Sequence, residues 1–399
     1  MKHVVIVGGG FGGVKTAREL AKSPELFKVT LISDEDCFRY YPALYRTATG
    51  HSKRESCISI DLLLHDLKNV TFQQGRAASI DRKTRTITLA DGAKVSYDYT
   101  VLALGVVISY FGIPGMEEYS HGLKTVEQID QLRHDLHEEF VDDKKPDKNY
   151  VVAGAGPTGV ELSASLRNYL QQIARWHHAR NNKITLELIE AAPRVTPRLS
   201  ERASRILTKR LKKLGIKVMT GKKVQGETPD SLMVDGRPLS THTVIWTAGV
   251  TNNPFYAANK QQFSLSDRGR VKVDAHMRVD NHVYVIGDNA DMPHAGLALT
   301  AVRDARYAAR DMVRREKGHK SKPYHQKLAI SVIPAGDGWA LVEYGPIVFG
   351  GWLGGLLRWM ADLVAYHDIM PLGDALSIWR DSKPYEDDCP TCNKAQWKR

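Results

Sequence analysis

Cysteine is scarce in this chain. Four occur in 399 residues, and none lies between Cys57 and Cys389. That is too few for a disulfide framework. Cys37 and Cys57 stand alone. Cys389-Pro-Thr-Cys392 is a C-x-x-C near the C-terminus with no second pair or histidine beside it. Zinc needs four ligands, so no metal site is expected there; a redox dithiol or a tail with two thiols are the open readings. No run of about 18 uncharged apolar residues exists, which argues against a spanning helix. The N-terminus opens on a β-branched run without the layout of a signal peptide, so a cytoplasmic location is expected. A basic tract interleaved with aromatics is also missing. The 56 Lys and Arg exceed the 45 Asp and Glu by eleven, but they are scattered. Nucleic acid is therefore not an expected partner, whereas anionic small molecules or lipid headgroups suit the charge.

What is present is organised twice over. Val4-Val5-Ile6-Val7 reads as a buried parallel strand. Gly8-Gly9-Gly10-Phe11-Gly12-Gly13 follows, a G-x-G-x-x-G carried by Gly8, Gly10 and Gly13, with Phe11 and Gly12 inside the loop. Gly8 permits the tight turn, Gly10 lets backbone approach a pyrophosphate, and Gly13 lets helix pack on strand. The helix Val14–Ala21 then turns its positive end to the phosphates. A second strand, Lys28–Ile32, brings the chain to the ribose slot, which falls on Ser33 or Asp34. The pattern recurs in mid-chain. Strand Tyr150–Ala153 leads into Gly154, Gly156 and Gly159, and strand Ile184–Ile189 ends on Glu190. A carboxylate there accepts hydrogen bonds from both ribose hydroxyls and repels a 2′-phosphate, which favours NADH over NADPH.

Two later strands end in small residues, Tyr99–Gly105 and Thr243–Gly249. Each reads as a crossing between domains under a cofactor, where Ala103, Gly105, Ala248 and Gly249 admit close approach. A third strand, Val283–Ile286, precedes Gly287-Asp288.

The chain resembles the type II NADH dehydrogenases, single-subunit flavoproteins with two dinucleotide folds. The likeness rests on both glycine loops, on Phe38-Arg39-Tyr40-Tyr41-Pro42-Ala43-Leu44-Tyr45, on Tyr110-Phe111-Gly112-Ile113-Pro114-Gly115, on Leu123-Lys124-Thr125 and on Ile245-Trp246-Thr247-Ala248-Gly249-Val250. It implies non-covalent FAD on the first fold, with Pro42, Asp288 on the ribityl chain and Ala298 nearby. It also implies NADH on the second fold and a quinone as the final acceptor, with the cofactors carrying the hydride chemistry. Glu161 matches a family glutamate near the nicotinamide and quinone, and so becomes the candidate proton donor. Its other reading is a carboxylate stabilised by the helix dipole. Sulfide:quinone oxidoreductases share the scaffold, but they need mid-chain redox cysteines that are missing here.

One departure from the family concerns the acceptor. The glutamine-bearing segment after the family's Gly-Asp corresponds to Ala298–Arg306, and no glutamine occurs between Gln262 and Gln326. Arg303, Asp304 and Arg306 either put charge into the quinone slot or face outward. Further on, Arg358 and Asp362 define one face of a helix, and Trp352, Leu356, Trp359 and Leu363 another. Such a helix suits a membrane interface, or else a core or dimer contact.

The expected architecture is α/β with two Rossmann-like domains. Residues 1–115 and 245–320 form a split FAD domain, 116–244 the NADH domain, and 321–399 a membrane- or dimer-associating region. A homodimer, peripheral on the cytoplasmic face of the membrane, is the expected assembly. Alternative functions are a soluble NADH oxidase or diaphorase and an NADH-sensing flavoprotein of the apoptosis-inducing-factor type.

Overall fold

The computed structural model describes residues 1–141, 146–178, 184–381, 389 and 392. The first unit centres on a five-stranded parallel sheet. Strand Lys2–Val7 is flanked by Phe27–Ser33 and then Val70–Gln74 on one side, and by Tyr99–Leu102 and then Val283–Val285 on the other. Strands covered on both faces need continuous apolar runs, and Val4, Val5 and Ile6 are fully buried. Helix Phe11–Leu20 and helix Ala298–Glu316 pack against each other beside this sheet. The unit is thus closed by segments far apart in the chain, because the late strand and helix return to the first fold.

The second unit has a four-stranded parallel sheet in the order Lys217–Thr220, Thr185–Glu190, Asn149–Ala153, Thr243–Trp246. Thr243–Trp246 pairs in register with Tyr150–Ala153, so the expected domain boundary at residue 245 runs through a strand of the second sheet. The crossing between units is a two-stranded antiparallel ribbon, Val106–Ile108 on Val250–Asn252.

A three-stranded antiparallel sheet, Ser331–Pro334, Ala340–Tyr344 and Ile347–Gly351, then carries helices Trp352–His367 and Leu372–Arg380. Gly354 seats the first of these helices closely on the sheet; a Cβ there would lie 2.2 Å from the Ala340 carbonyl oxygen. Tyr366, Ile369, Met370 and Ala375 join the core of the first unit, while Ile333, Leu341 and Val348 join that of the second. The C-terminal region is therefore wedged against both.

Cys37 and Cys57 do not stand alone. Strands Cys37–Arg39 and Cys57–Ser59 form an antiparallel pair that brings their Cα atoms to 5.5 Å, and the two are joined as a disulfide. Among the described residues, no helix is long and apolar enough to cross a membrane.

Candidate functional site

The two glycine loops are built alike. Gly8 and Gly154 both take positive φ, +116° and +108°, which L side chains rarely adopt. A Cβ on Gly8 would strike the Ala103 carbonyl oxygen at 2.3 Å, and one on Gly154 would strike Ala248 backbone at 2.5 Å. Gly13 and Gly159 each have the loop's first carbonyl oxygen 1.8 Å from where a Cβ would stand. Protein packing thus demands glycine at four positions. At Gly10 and Gly156 it does not, since a Cβ would meet nothing within 4 Å. Open space at the middle glycine, in front of a helix N-terminus, is what a pyrophosphate needs, so both loops fit a dinucleotide.

Matching the two units also aligns their strand ends. Gly8 N–H donates to the Ile32 carbonyl and Gly154 N–H to the Ile189 carbonyl. Ser33 therefore stands in the first fold where Glu190 stands in the second, and Asp34 lies one residue beyond, exposed. The Glu190 carboxylate accepts from Ala155 N–H at 2.7 Å and Ala192 N–H at 2.8 Å. Those bonds fix it beside its glycine loop and leave lone pairs for a ligand.

Phe11 opens the first helix and packs edge-on against Phe38 at 4.9 Å, in the core. Gly12 abuts Ile286. Gly287, φ +67°, makes the turn after the last strand of the first sheet, with Asp288 next to it. Gly105, φ +67°, is clamped by Asn289, whose side chain accepts from its N–H and donates to its carbonyl. The close approach at Gly249 is different from the expected one. A Cβ there would meet the Ser109 carbonyl and the Phe111 ring, so this glycine serves the crossing of the two connecting strands. Pro42 lies in the first turn of helix Tyr41–Thr47, and its carbonyl accepts from Arg358. Ala298 begins helix Ala298–Glu316.

That helix resolves the charge question after Gly287-Asp288. Asp304 points inward, buried, accepting from Gly287 N–H at 3.1 Å and from Tyr324 Oη at 2.6 Å. Burial pushes its carboxyl up to about 6. Arg303 reaches the Lys327 and Leu328 carbonyls, and Arg306 pairs with Asp368. Asp304 thus braces the Gly287 turn from behind. The contact joins a turn to the helix that follows it, and only their nearness along the chain hinted at it.

Glu161 lies in the first helical turns of Pro157–Trp176, one turn before Ser165, whose hydroxyl bonds Thr49 at 2.7 Å. Facing it is a buried ionic cluster. Asp362 accepts from Tyr40 Oη at 2.6 Å, from Arg46 at 2.8 Å and from Arg358 at 2.9 Å. Arg46 also pairs with Glu55 at 2.8 Å. Two arginines already match two carboxylates, so among the described residues Glu161 adds an acid with no cation of its own. Burial pushes its pKa up to about 7; Arg358 and Arg46 pull it down, and Asp362 pushes it further up. A merely dipole-stabilised carboxylate would shift the other way. Sequence patterns give no hint of the cluster that Arg46, Glu55 and Tyr40 build with Asp362, because it joins the first part of the chain to the last.

Helix Trp352–His367 is turned inside out relative to a soluble helix. Its polar residues Arg358 and Asp362 face the protein, while Trp352 is 75% exposed, Val364 62% and Trp359 50%, with Leu353, Leu356 and Met360 beside them. Leu363, expected in this row, packs inward instead. Trp359 and Trp379 stack at 3.8 Å on the outer side.

Comparison with known proteins agrees with this geometry. Residues 2–305 match the family model for pyridine nucleotide-disulphide oxidoreductases. The chain is 29% identical over 398 residues to the type II NADH:quinone oxidoreductase NdhA of Mycobacterium tuberculosis, covering 92% of this chain and 84% of that one. It is 27% identical over 380 residues to a type II NADH:quinone oxidoreductase of Staphylococcus epidermidis, 88% and 91% covered. Among solved structures, the NDH2 of Plasmodium falciparum in complex with NADH superposes with a TM-score of 0.85 at 17% identity, over 95% of this chain and 97% of that one. The double glycine-loop fold and the match over residues 2–305 show that the chain belongs to the pyridine nucleotide-disulphide oxidoreductase family.

Proposed function

We propose that this protein is a type II NADH:quinone oxidoreductase that holds FAD on its first nucleotide fold, takes NADH on its second, and works at a membrane surface. The observation that carries the reading is the helix Trp352–His367. Its inner side places Arg358 and Asp362 against Glu161, and its outer side bares an apolar row rich in tryptophan. A row of this kind suits the headgroup layer, where Trp residues concentrate. An apolar acceptor dissolved in lipid then arrives beside Glu161, an acid poised to protonate it.

FAD, when bound, supplies two-electron chemistry that accepts hydride and passes the electrons on. The chain's own residues do the rest. Gly8, Gly10, Phe11, Gly12 and Gly13 frame its pyrophosphate, Ser33 stands at its ribose, and Ala103, Gly105, Pro42, Gly287, Asp288 and Ala298 bound its further course. Gly154, Gly156 and Gly159 frame NADH, with Glu190 at its ribose and Ala248 at the crossing. Glu161 keeps a proton near neutral pH and can release it toward the acceptor. With the amide pair missing, quinone is held by packing and by Glu161, so affinity and ring selectivity are low.

The test separates two half-reactions by anaerobic stopped flow. Enzyme first reduced by NADH is mixed with a short-chain quinone analogue or with oxygenated buffer. Quinone should reoxidise it far faster than oxygen does. Equal rates would replace this proposal with the soluble oxidase.

A further inference from the structure

We propose that His137, His177, Cys389 and Cys392 form a structural zinc site that pins the C-terminal segment to the second nucleotide unit. The four donor atoms lie within 4.8 Å of one another. His137 comes from helix Val126–Val141, and His177 directly follows helix Pro157–Trp176. The C-x-x-C therefore does have histidine partners; they come from mid-chain helices rather than from its own neighbourhood.

The distances suit a metal. Tetrahedral zinc with Zn–S of about 2.3 Å and Zn–N of about 2.05 Å separates sulfur from nitrogen by about 3.5 Å. His177 Nε2 lies 3.2 Å from Cys392 Sγ and 3.5 Å from Cys389 Sγ, and His137 Nε2 lies 3.5 Å from Cys392 Sγ. Hydrogen bonds account poorly for this convergence. A neutral imidazole nitrogen has one lone pair in the ring plane, yet both sulfurs approach the same nitrogen of His177. A cation among the four donors satisfies them all at once.

The surroundings prepare the ligands. His137 Nδ1 lies 3.0 Å from the Arg133 carbonyl and 3.2 Å from Tyr169 Oη, which holds the ring with Nε2 directed at the cluster. Metal-binding histidines are commonly oriented in this way. Both cysteines are buried within the apolar core of the second unit. Two thiolates, two neutral imidazoles and Zn2+ sum to zero charge, which a low-dielectric site tolerates. Binding deprotonates the two thiols and releases two protons, with no redox change.

The experiment uses full-length protein freed of any purification tag. Elemental analysis should find about one zinc per chain. After zinc is stripped with a chelator, cobalt(II) should restore one equivalent and give tetrahedral d–d bands with thiolate charge-transfer absorption. The exposed group His134, Asp135 and Glu138 lies on the same helix. It has no thiol and cannot give that absorption, so it is told apart. A Cys389→Ser/Cys392→Ser variant that keeps its flavin should lose both signals. Wild-type protein with neither zinc nor cobalt thiolate bands overturns the site. So does a Cys389–Cys392 disulfide in the protein as isolated, or zinc retained in the double variant. The metal count does not depend on which acceptor the enzyme uses, so it stands or falls separately from the proposed activity.

Discussion

Replacing Glu161 by Gln keeps shape and most hydrogen bonding but removes the proton. With a pKa of about 7, Glu161 is roughly nine-tenths protonated at pH 6 and one-tenth at pH 8. If reduction of the acceptor draws on that proton, its rate should fall about tenfold per pH unit above 7 in the wild type. The variant should be slower by about a hundredfold at pH 6, the low end for a lost general acid, and should lack that limb. Flavin reduction by NADH needs no proton from this residue and should hardly change. Stopped-flow traces of each half-reaction between pH 5.5 and 9 give both numbers. Stability offers an independent check with a definite sign. The folded pKa is raised from 4.5, so the folded state binds this proton more tightly. The favourable contribution is present below about 4.5 and lost as pH rises through about 7. Above that the buried charge costs up to about 3 kcal/mol. Glu161→Gln should therefore raise the unfolding midpoint at pH 8 and leave it nearly unchanged at pH 4. A variant that reduces quinone as fast as wild type at pH 6, or that keeps the alkaline limb, refutes the assignment.

Three further outcomes are expected. Gly10→Val fills the open space before the first helix and should abolish flavin retention without unfolding the chain, since no protein atom is struck by its Cβ; a yellow variant with full flavin content would remove the loop from the FAD site. Glu190→Ala should narrow the preference for NADH over NADPH by about 1–3 kcal/mol, the range of a charge-assisted hydrogen bond. It should also raise KM for both, because Ala155 and Ala192 lose their acceptor; equal wild-type rates with the two cofactors would contradict the role of Glu190. Trp352→Glu with Trp359→Glu should release the protein from anionic liposomes while leaving NADH-driven flavin reduction intact. Wild-type protein that fails to float with such liposomes at low salt would place another partner on that row.

Much of the fold was legible because it is local. In each nucleotide unit the first strand, glycine loop, helix and second strand fall within about 40 residues, Lys2–Ser33 and Asn149–Glu190, and hydrophobic period plus glycine spacing describe them. The ribose slot was ambiguous by one residue, Ser33 or Asp34, because placing either opposite Glu190 needs the register of two strands. Periodicity showed that helix Trp352–His367 has two faces. It could not tell which one faces protein, since that depends on Tyr40, Arg46 and Pro42, which wait near the other end of the chain. The Cys37–Cys57 link was hidden for the same reason: a short antiparallel pairing, not the spacing, brings the two thiols together. Nor does any local pattern connect His137 and His177 with the last two cysteines.

Because Asp362 ties helix Trp352–His367 to helix Tyr41–Thr47 through its buried pair with Arg46, and Arg358 through its hydrogen bond to the Pro42 carbonyl, the bare outer row cannot swing free without stranding charges. On the proposed function, the acceptor is then met in two dimensions. Its effective concentration is a mole fraction in the lipid rather than an amount per volume of buffer. Adding inert lipid at constant total quinone should slow turnover, and adding buffer should not.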